Sequence, residues 1–371
     1  MALSFGYAVG AAISRAAGFA KMDGHPLGTE MRIKRCSAAL VLILAGFLGS
    51  AAAQADPMPI RVGWVVTPGH LAPLIEALGK RDSGVFTHLW QSYVLQTTRF
   101  QGTTPQIQAQ AIGELDIAAL STAALALAIT NAHLDERVVA DVVADGVEGF
   151  YSENYVVRAD GPIKTIEDVK GKRIATNAIG SASDAAMRAM FRKHGIKDND
   201  FTTVEANFNN MPAMLDGGKV DLIGTLPQFL QELRAHPDKY RVLFTGRDAV
   251  GPTQAVLWGM RAETIAAHRP VFVDFFEDHI RAVRWFIDPK NREEALDILA
   301  NVTKLPKDSL AFAFSKDDFY HSPDARPELQ SVQREIDEAV QLGVLPQPVQ
   351  ISPKYVDLSL IEDAKKRIDG K

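Results

Sequence analysis

The 371-residue chain contains one cysteine, Cys36. That scarcity excludes a disulfide framework and a cysteine-built metal site, and it leaves at most one thiol for nucleophilic chemistry. Long hydrophobic runs are also missing: the most apolar stretch, Ala38 to Leu48, falls short of the ~20 residues that a bilayer-spanning helix requires. Basic charge is in deficit, with 40 Lys and Arg against 45 Asp and Glu, so the electrostatic footprint of a nucleic-acid binder is absent. Catalytic spacing is absent too. After the leader the histidines are His70, His88, His133, His194, His236, His268, His279 and His321, and no two have the i,i+4 spacing or the C-x-x-C-like company of metal sites. The stretch "GSASD" is not a G-x-S-x-G elbow, and no glycine-rich phosphate loop occurs. The expectation is a protein with no cofactor, no metal and no enzymatic activity.

The front of the chain reads as a secretory leader. From Met31 it runs "MRIKRCSAALVLILAGFLGSAAAQADP": basic residues, a short apolar run, then small residues ending Ala53-Gln54-Ala55. That order marks a signal peptide cleaved after Ala55, with Met31 as the expected start. Arg32 and Arg35 are not adjacent, which argues against twin-arginine export, and Cys36 precedes the apolar run, where no lipoprotein cysteine sits. The expected product, residues 56–371, keeps 35 Lys and Arg against 43 Asp and Glu, a charge of -8, and loses the cysteine. It is read as periplasmic, soluble and monomeric. A composition of 47% hydrophobic and 23% charged residues supplies ample core.

A short phrase then appears twice. "GELDIAAL" (113–120) is echoed 105 residues later by "GGKVDLIGT", with Gly218 and Asp221 standing where Gly113 and Asp116 stood. Around each copy the pattern alternates strand and helix. "IRVGWVV", "YVLQTTRF" and "LDIAAL" read as strands, with helices after Thr67-Pro68, Thr104-Pro105 and Ser121-Thr122. "GKRIATNA", "FTTVEA" and "VDLIGT" (220–225) repeat the plan, with helix starts at Ser181, with Asp184 closing a capping box, and at Asn209 or Asn210. Each unit ends a helix at glycine and enters a buried strand through aspartate. The order implies two α/β lobes with mostly parallel sheets. "FYSENYVVRAD" and "TQAVLWGMRAE" read as two crossings, so lobe I is expected over 56–161 and 250–345, lobe II over 162–249, and a helical tail over 346–371. Two crossings make a hinge.

These residues carry a resemblance. "IKTIEDVKGKRIATNAIGSASDAAMRAMFRKHGI" resembles the signature of the nitrate/sulfonate/taurine-type periplasmic solute-binding proteins (Asp168, Gly171, Lys172, Gly180, Ser181). "IQAQAIGELDIAALS" and "VFVDFFEDHIRAVRWFIDPKNREEALDILA" are similar to other segments of the family, so the resemblance covers nearly all of 58–345. It implies the two-lobed type II periplasmic-binding-protein fold, α/β with a helical C-terminal tail, and a protein that delivers a solute to the permease of an ABC importer by closing its lobes. A periplasmic sensor component, or an enzyme related to thiamine-pyrimidine synthases, stays open beside it; the cysteine-rich motif of the latter is missing.

Ligands of open parallel sheets sit beyond the strands' carboxyl ends. Here those ends read Thr67-Pro68-Gly69, Gly102-Thr103-Thr104, Ser121-Thr122, Gly180-Ser181-Ala182-Ser183 and Asn207-Phe208-Asn209-Asn210. Capping alone explains each Ser, Thr or Asn; their joint placement points to one cleft. His70, Tyr151 and Thr225 complete the candidate site. A helix terminus contributes ~0.3–1 kcal/mol when exposed and up to ~2 when partly buried, whereas micromolar capture needs about 8, so several must act with apolar burial. Phe208, with Met211 and Leu226, is expected to supply that burial, while Trp64, Trp90 and Trp258 read as core or surface. Arg99 and Arg247 are the basic residues nearest the expected cleft, and Glu153 and Asn154 lie near the first crossing. The neutral donors favour a small organic anion, a sulfonate or carboxylate with an aliphatic or aromatic body; a neutral heterocycle stays open.

Overall fold

Apolar, β-branched runs become strands wherever a helix is at hand to cover them. The computed structural model describes residues 56–81 and 83–370, so the leader and Cys36 lie outside the described residues. The order is β1 (Met58–Trp64), α1 (Ala72–Gly79), β2 (Tyr93–Arg99), α2 (Pro105–Ala111), β3 (Ala118–Ser121), α3 (Thr122–Thr130) and β4 (Glu136–Asp145). It continues β5 (Asn154–Arg158), β6 (Arg173–Thr176), α4 (Ala182–Lys193), β7 (Thr202–Glu205), α5 (Met211–Asp216), β8 (Leu222–Thr225), α6 (Pro227–Ala235), β9 (Tyr240–Thr245), α7 (Gly246–Val250) and β10 (Thr253–Arg261). Helices α8 (Ala262–Ile287), α9 (Arg292–Thr303), α10 (Leu329–Gln341) and α11 (Ser359–Ile368) follow.

The strands form two sheets of the same order. In the first, β2 pairs parallel with β1, a Val62–Ile117 bridge joins β1 to the entry of β3, and β10 runs antiparallel between β3 and β4. In the second, the order is β7-β6-β8-β5-β9, with β5 antiparallel between β8 and β9. This is the two-lobed α/β architecture that the resemblance implied. Each crossing therefore hands one antiparallel strand to the sheet it enters. Strand β5 belongs to the second sheet, so the changeover lies before Asn154 rather than near residue 161 as the lobe boundaries expected. Strands β4 and β9 were not foreseen, although Gly146 follows the first and Pro237 and Gly246 flank the second. The tail packs on the first lobe: β4 exchanges backbone bonds with Tyr355 and Asp357 at Val138, and α11 lies on α8 through Arg269–Asp363 and Arg367–Asp274 pairs.

The repeated phrase has a structural cause. After α2, the N–H of Gly113 bonds Gln110 O and that of Glu114 bonds Ala109 O; after α5, Gly218 and Lys219 bond Leu215 O and Met214 O in the same way. These are Schellman closures, and φ values of 75° and 61° at Gly113 and Gly218 explain the glycines. The aspartate that follows grips an arginine on the neighbouring parallel strand, β1 in the first sheet and β6 in the second. Asp116 accepts from Arg61 backbone N at 2.8 Å, Nε at 2.9 Å and Nη2 at 2.6 Å, while Gly113 O also accepts from the guanidinium. Asp221 accepts from Arg173 backbone N at 2.9 Å and from Nε and Nη2 at 3.2 Å, and Gly218 O takes Nη2 at 2.7 Å. Each clamp ties helix end, entering strand and central strand together in one lobe.

Asp116→Ala strips the buried acceptor from the Arg61 backbone N–H and guanidinium. Urea denaturation is expected to show a loss of about 1–3 kcal/mol with secondary structure retained; an unchanged midpoint would mean the clamp does not hold the lobe.

Candidate functional site

At the carboxyl ends of β2, β3 and β6 the lobes touch directly. Gln101 Nε2 donates to Asn177 O at 2.7 Å and Asn177 Nδ2 returns a bond to Gln101 O at 3.1 Å. Thr104 Oγ1 donates to Ile179 O at 2.9 Å, and Ser121 Oγ to Gly180 O at 3.1 Å. Glycine is required at 102, because a Cβ there would stand 2.4 Å from Ala178 Cβ. Lys193 of α4 also meets Glu338 of α10 at 2.6 Å. Thus Gly102, Thr104, Ser121 and Gly180, expected to face a ligand, instead form a seam between lobes.

Behind the seam lies a cavity lined from both lobes and both crossings. Its wall divides into two patches. One is apolar, where Val66 and Phe319 of the first lobe pack with Phe208 and Leu226 of the second. The other is polar and centred on the crossings. Asp145, at the end of β4, accepts from the Glu153 backbone N–H at 3.2–3.3 Å and so staples the first crossing to itself. Ser183 of α4 donates to Glu153, and Thr253 of the second crossing to Glu335. Gly224 makes room for the Glu153–Ser183 pair, since a Cβ would stand 2.6 Å from Glu153 Oε1. The two crossings are bonded to each other by Gly246 N–H to Glu153 O at 2.7 Å and Arg247 N–H to Ser152 Oγ at 2.8 Å.

The charge of this wall is one-sided. Among the described residues, no lysine or arginine lines the cavity, while Asp145, Glu153 and Glu335 do. Burial, which penalises the ionised form, pushes these carboxyls up to about 6, 8 and 7. His70 is buried in the same wall, and burial together with neighbouring His321 lowers it to about 3, so it is neutral. Its Nδ1 has no hydrogen-bond partner among the described residues.

Of the sequence-selected residues, the cavity brings together His70, Thr103, Ser181, Ser183 and Phe208, joined by Glu153 and Leu226, whereas Met211 is buried away from it. Ser181 caps α4 by accepting from Asp184 N–H, but the Asp184 carboxylate closes onto Gly180 N–H at 2.9 Å rather than onto the cap residue. Thr67 and Pro68 do not start a helix: α1 begins at Ala72 behind Leu71, and both residues lie off the cavity. Thr122 points its hydroxyl at Gln254 O at 3.3 Å. Asn207 and Asn209 are exposed and cap no helix by side chain, because the chain makes a 3₁₀ turn at Phe208–Asn210. Tyr151 donates to Thr225 O at 2.6 Å and packs edge-on to Phe319, closing the far side instead of lining the cavity. Arg99 is held by Val65 O at 3.2 Å beside the Trp64 ring, and Arg247 by Gly146 O at 2.7 Å. Trp258 is core and Trp90 exposed. Sequence reasoning missed Asp145, Asn177, Glu335 and Phe319, which sit in stretches read as unpunctuated chain, as strand or as surface helix; Asp145 carries the only legible hint, an acid at the end of an apolar run.

Residues 95–302 match the family described as ABC transporter, phosphonate, periplasmic substrate-binding protein. No curated protein matches the sequence. Among solved structures, the alkanesulfonate-binding protein SsuA from Xanthomonas axonopodis pv. citri, bound to MOPS, is similar at 19% identity with a TM-score of 0.63, over 82% of this chain and 99% of that one. The periplasmic nitrate-binding protein NrtA from Synechocystis PCC 6803 is similar at 16% identity and TM-score 0.65, over 85% and 90%. The desulfurization enzyme DSZB is similar at 13% identity and TM-score 0.55, over 84% and 99%. Among the described residues, no cluster of His, Cys, Asp or Glu suits a metal ion, and no helix is long and apolar enough to cross a membrane.

Glu153 has an ordinary carboxyl value of 4.5 and is raised to about 8 in the fold, so the folded chain holds a proton that the unfolded chain has released. Its contribution is intact below 4.5 and is lost as pH rises through about 8. Glu153→Gln keeps an acceptor for Ser183 and removes the titration. The melting temperature of the variant relative to the parent is expected to rise between about pH 5 and about pH 9; a constant difference would overturn this account of the site.

Proposed function

The chain belongs to the ABC-transporter family of periplasmic phosphonate-type substrate-binding proteins, and on that footing we propose that it captures a small organic solute between its lobes and presents it to an inner-membrane permease. The observation that carries this reading is the cavity lined by both lobes and both crossings, with a seam of direct lobe-to-lobe bonds across its front. A solute so enclosed enters and leaves when the lobes part about the two crossings. The segment from Met31 to Ala55 serves as the export signal, and the working chain starts at Asp56.

Binding rather than catalysis suits the groups in the wall. The Ser183 hydroxyl is bonded to Glu153 and the Ser181 hydroxyl to Asn177 at 2.6 Å, so neither is paired with a histidine that would take its proton. An anionic end on such a solute, as the names of the sulfonate- and nitrate-binding relatives suggest, would meet the Asn177 amide and the N–H groups of the first turn of α4 as neutral donors.

A thermal-shift screen of small sulfonates, phosphonates, carboxylates, amines and pyrimidines is expected to find a stabilising compound, with about 2.7 kcal/mol added at 100 times its dissociation constant. Small-angle scattering with that compound should show a smaller radius of gyration than without it. Gly102→Val, which puts side-chain atoms where Ala178 stands, should keep the ligand-free melting temperature and lose the compaction. Stabilisation without compaction in the parent would remove hinge closure from the mechanism.

A further inference from the structure

The cavity wall has one sign of charge-bearing group and no opposite. Asp145, Glu153 and Glu335 stand around its polar patch, and neither lysine nor arginine joins them among the described residues. Glu153 is 7% exposed, and among the described residues only one of its oxygens has a protein donor, the Ser183 hydroxyl. The nearest cations are turned to backbone carbonyls: Arg247 to Gly146 O at the edge of Asp145, and Arg334 to Pro252 O beside Glu335. An acceptor-rich patch with spare capacity calls for a donor. The opposite patch, Val66, Phe208, Leu226 and Phe319, offers an apolar surface built from two lobes.

We infer that the cavity takes a solute with an apolar body and a hydrogen-bond-donating nitrogen group, an amine, amidine or aromatic amino group, held at Glu153 and its neighbouring carboxyls, and that it rejects solutes whose polar end is an anion alone. This rests on the cavity being the solute site of the proposed binding protein. Nitrogen at Glu153 completes the unfilled acceptor, while Arg247 and Arg334, turned to backbone carbonyls, leave a sulfonate or carboxylate that lacks such a group without a cation in the wall to pair with.

Probes sharing one phenyl ring test it on the full processed chain: benzamidine and benzylamine as cations, aniline as a neutral donor, benzoate and benzenesulfonate as anions, read by calorimetry and thermal shift. At least one nitrogen probe is expected to bind about tenfold or more tighter than either anion. Benzamidine binding should tighten as pH rises from about 5 to about 8, as Asp145, Glu335 and Glu153 lose their protons. The groups facing them are Ser183, Tyr151 and Tyr155 around Glu153, Arg247 at Asp145, and Arg334 and Glu338 at Glu335. Glu153→Gln should cost the cationic probes about tenfold to a hundredfold; Glu335→Gln provides a half-buried second site should the first variant fold poorly. If the anions bind tighter than every nitrogen probe, above all if benzoate gains at low pH from protonated carboxyls, the nitrogen assignment falls while the binding-protein reading stands. If none of the five binds but a compound lacking nitrogen does, the result is the same. If no compound in this set or the wider screen binds or compacts the chain, both readings fall.

Discussion

The backbone passes twice between two sheets, and at each passage it inserts one strand antiparallel into the sheet it enters. Everything at the site follows from that constraint. Strands β5 and β10 cannot leave their sheets without breaking ladders on both sides, so the segments just outside them, 146–153 and 246–252, are held close to one another and to the inner faces of both lobes. Asp145 and Glu153 bracket the first passage and Thr253 ends the second. The two crossings and the polar floor of the cavity are therefore built from the same few residues.

Two strengths of attachment coexist. Within each lobe, a Schellman-closed helix and an Arg–Asp clamp tie the central strands, and apolar cores cover both sheets. Among the described residues, four hydrogen bonds and the Lys193–Glu338 pair join the lobes across the seam, and at ~0.5–1.5 kcal/mol each the hydrogen bonds total about 2–6 kcal/mol. That is comparable to the ~8 kcal/mol of a micromolar ligand and much smaller than the cost of opening a core. The lobes are thus joined to each other far more weakly than each is held together within itself.

The acids at the pivot sit at odds with a family described by an anionic solute class. Burial raises Glu153 to about 8 and Glu335 to about 7, so both are partly protonated near neutral pH.

The lobes, the doubled strand–helix plan and the glycine–aspartate turns were legible in the sequence because they depend on local rules: the period of apolar residues, glycine where φ is positive, proline and small polar residues at helix starts. The partners Arg61 and Arg173 were not, since nothing near an arginine in the chain announces an aspartate 55 or 48 residues away. Five cavity residues, His70, Thr103, Ser181, Ser183 and Phe208, could be picked from strand ends. Which strand ends face solute and which face the other lobe could not: Thr104 and Ser121 have the same local signature as Thr103 and Ser181, yet spend their hydroxyls across the seam. Local pattern sets elements and their ends, because backbone sterics and burial act within a few residues. The acidic floor, the seam and the sign of the cavity's charge come only from the packing of distant segments, because electrostatic and steric complementarity exists between surfaces that the chain order does not adjoin.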